Sequence, residues 1–225
     1  MHGSTIIYLF SIIGIIYSQS YGTSYSTNRF YSPNQYNAKR LRPSIKVYYE
    51  SQCPACKALD STYFADVVKT LGPYLDIYTN PYGKAETLYN NNGSIEFQCQ
   101  HGPVECYGNK LHACALDNIP NRQQALLFNG CMMEAGRPDG GSNDESADQC
   151  GALMSIDANA IKSCAKSQRS SVLLSNYGIE TKAANIKWLP TVRINDVEWN
   201  GTGDGLMAAV CAAFTNPPAQ CRGYI

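Results

Sequence analysis

Ile45-Lys46-Val47-Tyr48-Tyr49-Glu50-Ser51-Gln52-Cys53-Pro54-Ala55-Cys56 decides the fold. Its first five residues are β-branched, aromatic or long-chained and read as a strand. A C-x-x-C turn follows. Beyond it, Leu59, Tyr63, Phe64, Val67, Val68 and Leu71 recur at helical spacing, which predicts a helix running to about Leu71 and ended by Gly72-Pro73. The dithiol therefore opens a helix. The free N–H groups and the dipole at a helix N-terminus stabilise a thiolate, and Pro54 loses nothing in the first turn. Cys53 reads as the exposed nucleophile at the mouth, and Cys56, one turn in, as the more buried resolving thiol. Thiolate attack on a disulfide gives a mixed disulfide, which the second thiol resolves.

Outward from this stretch, Tyr74–Thr79 reads as a second strand closed by Asn80-Pro81, completing a βαβ unit with a right-handed crossover. Near the other end, Trp188-Leu189-Pro190 leads into a strand at Thr191–Ile194. Asn195-Asp196 turns, and Val197–Trp199 returns as a hairpin. Asp204 is placed to cap a last helix with the apolar face Leu206, Met207, Val210, Cys211 and Phe214. Residues 82–187 lie between the halves, with helix-like stretches near 105–118, 121–134, 150–167 and 171–186 and a polar loop at 136–148; no internal repeat is present. This order is that of an α/β, thioredoxin-like domain at 45–215 carrying a helical, disulfide-stapled insertion, followed by a tail at 216–225. In such folds a cis-proline loop packs beside the dithiol and presents backbone to substrate. Pro190 is placed for that role; the alternative is a strand-entry proline.

The chain has 225 residues, with 18 Lys+Arg against 18 Asp+Glu and 44% hydrophobic residues. A neutral chain offers no electrostatic footprint for nucleic acid. Its ten cysteines, an even number, suit an oxidising compartment. Residues 5–17 form an apolar run of signal-peptide length with a small-x-small site at Ser18-Gln19-Ser20, although Lys and Arg are missing before it. Residues 1–20 are accordingly expected to be a cleaved signal, with no membrane association afterwards. Residues 21–44 form a Tyr/Ser/Asn-rich leader, in which Lys39-Arg40 is either a propeptide processing site or a solvated basic pair. The sequons Asn92-Gly93-Ser94 and Asn200-Gly201-Thr202 read as turns and agree with secretion.

A second constellation runs Cys99-Gln100-His101-Gly102-Pro103-Val104-Glu105-Cys106-Tyr107-Gly108-Asn109-Lys110-Leu111-His112-Ala113-Cys114. It resembles the gamma-interferon-inducible lysosomal thiol reductases (GILT), whose signature C-Q-H-G-x-x-E-C-x-x-N-x-x-x-x-C is met at Cys99, Gln100, His101, Gly102, Glu105, Cys106, Asn109 and Cys114. The C-x-x-C lies upstream of the signature, as in that family. Its three cysteines read as bridges stapling the insertion to the core. His101, Glu105 and Asn109 recur every four residues, which fits a capping and hydrogen-bond ladder, with a direct role for His101 as the alternative.

The resemblance implies an enzyme that reduces protein disulfides in acidic endosomes or lysosomes, or after secretion. It would use disulfide-bonded protein substrates, no metal, and no cofactor beyond a small-molecule thiol as reductant. Other readings stay open. Cys53 and Cys56 could join Cys99 and His101 in a zinc site, or serve in separate structural disulfides. The chain could also be a secreted, disulfide-rich binding protein with little turnover. The eight remaining cysteines allow 105 pairings.

Overall fold

The computed structural model describes residues 42–136 and 140–225. The expected signal peptide, nearly all of the expected leader and Lys39-Arg40 lie outside the described residues. Strand β1 (Ser44–Tyr49) is central in a four-stranded sheet of order β2-β1-β5-β6. It runs parallel to β2 (Asp76–Pro81) and antiparallel to β5 (Thr191–Ile194), which pairs antiparallel with β6 (Val197–Trp199). Every residue of β1 except Lys46 is buried, as expected of a strand covered on both faces. Asn195 and Asp196 turn the β5–β6 hairpin with φ of 49° and 68°, the left-handed pair a tight hairpin needs.

Helix α1 (Pro54–Ala58) continues through a π turn at Leu59–Phe64 into α2 (Ala65–Leu71). The stripe read from the sequence is buried at Leu59, Phe64, Val67, Val68 and Leu71, but Tyr63 is 40% exposed. The π turn inserts a residue into the helical repeat and rotates Tyr63 outward. There its ring lies under Gly203, where an added Cβ would come within 2.2 Å of it. The second strand begins at Asp76 rather than Tyr74, because Gly72–Tyr74 wind as a 3₁₀ turn, and it continues through Pro81.

The insertion opens with a hairpin absent from the sequence reading, β3 (Glu86–Tyr89) and β4 (Ile95–Gln98). Five helices follow: α3 (Pro103–Asn118), α4 (Arg122–Ala135), α5 (Asp144–Met154), α6 (Ala158–Ala165) and α7 (Gln168–Ala184). The one helix expected over 150–167 is two. Ser155 turns left-handed at φ 55°, and the Asp157 side chain accepts from the Asn159 and Ala160 N–H groups to start α6. The polar loop ends sooner than expected, where Asn143 and Ser146 cap α5 reciprocally. Asp204 does not cap α8 (Leu206–Ala212). It sits in a 3₁₀ turn at Gly203–Gly205, and its carboxylate accepts instead from the Thr202 hydroxyl.

The bridges are Cys99–Cys106, Cys114–Cys164, Cys131–Cys150 and Cys211–Cys221. Three join parts of the insertion to each other, correcting the expectation that they tie it to the sheet. The insertion has an apolar core of its own, built on Leu111, Phe128, Met132 and Ile161. Beyond the dithiol, the sheet half holds just Cys211 and Cys221, which pair with each other and draw the end of the chain onto α8. Closing the 50-residue separation of Cys114–Cys164 contributes about 4 kcal/mol by loop entropy.

Candidate active site

Cys53 occupies the N-cap of α1, and its Sγ accepts the Cys56 N–H at 3.3 Å. Cys53 and Cys56 are the two cysteines outside the bridges. Cys53 is 8% exposed and Cys56 is fully covered. The expected order of burial holds, but Cys53 is far less open than a residue at a helix mouth was expected to be. The Cys53 thiol is lowered to about 6. A hydrogen bond from the Cys56 thiol dominates, the Cys56 and Ala55 N–H groups and the charge of His101 add to it, and burial opposes. Burial pushes the Cys56 thiol far up, reinforced by its bond to Cys53. The pair thus holds a thiolate at Cys53 beside a thiol at Cys56.

The signature residues grip the loop that feeds this dithiol. The Cys99–Cys106 bridge closes the turn entering α3, with Gln100 exposed in it. Gly102 has φ 86° and ψ −166°, a conformation open to glycine alone. Glu105, fully buried, reaches back: Oε1 accepts the His101 N–H at 3.1 Å and Oε2 pairs with His101 Nδ1 at 2.6 Å. The expected ladder stops there. Asn109 turns away, and its Oδ1 accepts the buried Ser51 N–H at 2.8 Å, while the Ser51 hydroxyl donates to the Glu105 carbonyl at 3.2 Å. Gly108 permits this approach, since a Cβ there would lie 2.4 Å from Ser51 Oγ. Oriented by its neighbours, the Gln52 amide donates to the His101 carbonyl at 3.1 Å and accepts from the Gly141 N–H at 3.2 Å.

Asn109→Ala strips the Ser51 N–H of its acceptor in the interior. It should cost about 1–3 kcal/mol, the range for a buried unsatisfied donor. Urea unfolding measures this, and Cys53 alkylation should slow in parallel as the loop loosens. Unchanged values of both would separate the signature from the dithiol.

Glu50 belongs to the site and was missed in the sequence. It is 1% exposed. Oε2 accepts the Lys84 N–H at 3.0 Å, and Oε1 lies 3.5 Å from His101 Nδ1. Gly83, at φ 61°, leaves it room: a Cβ there would fall 2.2 Å from Oε2. Burial raises the Glu50 carboxyl to about 7; the Lys84 N–H and His101 lower it, and the charges of Glu105 and Cys53 raise it. His101 is raised, first by its bond to Glu105 and then by the charges of Glu105, Glu50 and Cys53, against its own desolvation. The available signal was an acid three residues before the C-x-x-C, which no spacing rule marks.

Among the described residues, the single group of His, Cys, Asp and Glu side chains close enough to share a cation is Glu50, His101 and Glu105, whose donor atoms lie within 4.8 Å of one another. The 2.6 Å contact of His101 with Glu105 already holds a hydrogen there, so the group reads as a hydrogen-bonded acid–base cluster. The zinc set of Cys53, Cys56, Cys99 and His101 is not formed, because Cys99 is bonded to Cys106 and has no thiolate to give.

Tyr48 pairs with Thr191, so Pro190 lies at the end of β1 that leads into the dithiol. The Leu189–Pro190 bond is cis. Leu189 packs on the core that contains Cys53 and Cys56, and Trp188 is 55% exposed. Asn92 and Asn200 are both exposed, in the β3–β4 turn and just after β6. No described helix is long and apolar enough to cross a membrane.

Residues 44–154 match the family described as gamma interferon inducible lysosomal thiol reductase. GILT-like protein 1 of Drosophila melanogaster is 32% identical over 200 residues, covering 80% of this chain and 78% of that protein. GILT-like protein 2 of the same fly is 32% identical over 158 residues, with coverage of 69% and 70%. The Mus musculus gamma-interferon-inducible lysosomal thiol reductase is 29% identical over 193 residues, with coverage of 79% and 71%. Two solved structures share the fold. MdbA, a thiol-disulfide oxidoreductase from Actinomyces oris, superposes with a TM-score of 0.57 at 15% identity, covering 79% of this chain and 83% of its own. Oxidised BdbD from Bacillus subtilis superposes with a TM-score of 0.54 at 13% identity, covering 80% and 91%. A thioredoxin-like frame is common to many chemistries, but the sequence identity with GILT-like relatives, spread over most of their length, narrows it: this chain belongs to the GILT family and is a thiol–disulfide oxidoreductase.

Proposed function

We propose that Cys53 and Cys56 form the redox centre, that Cys53 attacks disulfides of protein substrates, and that the enzyme serves an acidic endosomal, lysosomal or secreted setting. The observation that carries this reading is the state of the pair. Every other cysteine is bridged, and Cys53, at the N-cap of α1, has a thiol lowered to about 6. At about pH 5 such a thiol is roughly one-tenth thiolate, whereas an ordinary cysteine near 8.5 holds about 0.03%. A small-molecule thiol would regenerate the dithiol. Pro190 and Trp188, at the dithiol end of the sheet, supply the substrate-contact loop in this reading. The exposed Asn92 and Asn200 carry glycans. The alternative of a binding protein with little turnover fits a lowered nucleophile poorly.

The test is the pH profile of Cys53 alkylation. After mild reduction, limiting iodoacetamide should label Cys53 before Cys56, with a midpoint near pH 6, the rate rising with pH as the thiolate forms. Insulin reduction should still proceed at about pH 5. Labelling of Cys56 first, or a midpoint above about 8, would remove the basis of this assignment.

A further inference from the structure

The β3–β4 hairpin is a two-stranded sheet of its own, so each strand has one edge without a neighbour. The Asn90 N–H bonds the Ser94 carbonyl at 3.0 Å, which makes residues 90 and 94 a hydrogen-bonded pair. Bonded and non-bonded pairs alternate along an antiparallel ladder. With Leu88 opposite Glu96 and Glu86 opposite Gln98, the bonds to β3 fall at Glu96 and Gln98. Ile95 and Phe97 therefore turn their N–H and C=O groups outward. The Phe97 carbonyl lies 3.5 Å from Cys106 Sγ, which is bridged to Cys99 and has no hydrogen to give. Among the described residues, no N–H, O–H or carbonyl group outside the hairpin bonds these outward groups. An open edge of this kind is a template for another extended chain.

The edge borders a cavity of about 580 Å³, within the usual range of ligand sites. The facing wall comes from the first turns of α3 and the end of α6, through Cys106, Tyr107, Lys110 and Lys166. Lys110 is half-buried, with Nζ 5.4 Å from the centre of the Phe97 ring. No carboxylate pairs with it among the described residues, and burial lowers its pKa. Lys166, by contrast, is held by Asp144 at 2.6 Å. A desolvated ammonium over an aromatic face, with no anion beside it, is half of an ion pair. One turn separates this cavity from the dithiol site: Cys99 and Gly102 line the cavity, while His101 between them contacts Glu50.

We propose that this groove binds an extended, carboxylate-bearing segment of the protein substrate, which adds to β4 as a further strand and sets a carboxylate on Lys110. This rests on the reading of the chain as a reductase of protein disulfides. The outward groups of Ile95 and Phe97 bond the main chain of the added segment, which gives affinity without regard to sequence. Side chains two apart on that segment share a face, so acids at alternate positions stand in a row that Lys110 can meet. The charge of Lys110 then supplies the preference. Such a site takes substrates already unfolded around their disulfide, because only an extended chain offers free N–H and C=O groups to an edge.

Fluorescence anisotropy with labelled hexapeptides, at low ionic strength, tests this on the folded protein. A probe of alternating Glu and Val should bind about tenfold tighter than its Gln/Val counterpart. Lys110→Met keeps the stem on Phe97 and should erase that difference, and Lys110→Arg should restore it. Of two Glu/Val probes, N-methylated at every Glu or at every Val, one should lose at least about tenfold, because alternate N–H groups face β4. Equal binding of the Glu and Gln probes, a preference that survives Lys110→Met, or full binding of both methylated probes would overturn the proposal. So would N-acetylglutamate amide competing as well as the peptide, which would mark a site for a small carboxylate. In reduction assays, a disulfide-bonded peptide with the Glu/Val flank should show a KM about tenfold below that of the Gln/Val form at similar kcat, and equal KM values would count against the groove. The anisotropy probes hold no disulfide. Reduction of neither peptide would therefore overturn the dithiol assignment, while the anisotropy still decides the groove.

Discussion

Cys56→Ser should accumulate a covalent adduct with a disulfide-bonded protein, and Cys53→Ser should form no adduct and reduce nothing. Forming the mixed disulfide needs the nucleophile alone, whereas releasing it needs the second thiol, and a serine hydroxyl does not attack a disulfide. Serine is the right replacement at 56. The main influence lowering Cys53 is the hydrogen bond from the Cys56 side chain, and a serine O–H can still donate there. The trap therefore keeps a reactive thiolate. Cys56→Ala would remove that donor as well, so its Cys53 should alkylate more slowly at acid pH than in Cys56→Ser. Cys53→Ser loses the nucleophile, and insulin reduction should fall to the uncatalysed rate. Non-reducing gels of each variant after incubation with a disulfide-bonded protein show the adducts, which strong reduction should dissolve. Equal behaviour of the two serine variants would sink the two-step mechanism.

The second large effect is on stability and comes from Asp60, in the π turn behind the dithiol. Asp60 is 4% exposed, and its Oδ2 has no hydrogen-bond partner among the described residues. Burial raises its carboxyl from the ordinary value to about 7. A folded-state carboxyl raised above its unfolded value holds a proton that the unfolded chain releases. Its contribution to stability is therefore greatest below about pH 4 and is lost progressively as pH rises to about 7. A displacement of roughly three pKa units corresponds to about 4 kcal/mol in all, of which about 2 kcal/mol falls between about pH 5 and pH 7.5. Asn has nearly the same shape and cannot ionise. Asp60→Asn should thus stabilise the protein by about 2 kcal/mol more at pH 7.5 than at pH 5. Buried His112, lowered to about 3 by desolvation, titrates in the opposite sense but is present in both proteins, so the difference between them isolates Asp60. Urea unfolding of parent and variant at the two pH values measures it. An equal effect at both would mean that Asp60 does not change its ionisation on folding.

Local pattern carried much of this molecule. The strand Ile45–Tyr49, the C-x-x-C behind it and the apolar stripe after it are short-range features, and each is written in neighbouring residues. The same holds for the hairpin at Asn195-Asp196 and for the signature from Cys99 to Cys114. The β3–β4 hairpin was equally legible: Glu86-Thr87-Leu88-Tyr89 and Ile95-Glu96-Phe97-Gln98 flank Asn92-Gly93, a strong hairpin signal, and only the turn was read from it. The break at Ser155 could also have been found, from the Asp157 cap.

The pairing of the eight bridged cysteines could not. Which sulfurs meet depends on how α3, α4, α5 and α6 pack around Leu111, Phe128 and Ile161, and spacing along the chain does not contain that. Tyr63 reads as a core residue until a π turn rotates it. Glu50 reads as a polar strand end until α3 delivers His101 and Glu105 to it from more than fifty residues away. A buried carboxyl acquires its chemistry from the desolvation and charges that folding assembles around it. Sequence thus marks the Cys53–Cys56 pair, while the buried cluster of Glu50, His101 and Glu105 exists only once distant segments are brought together.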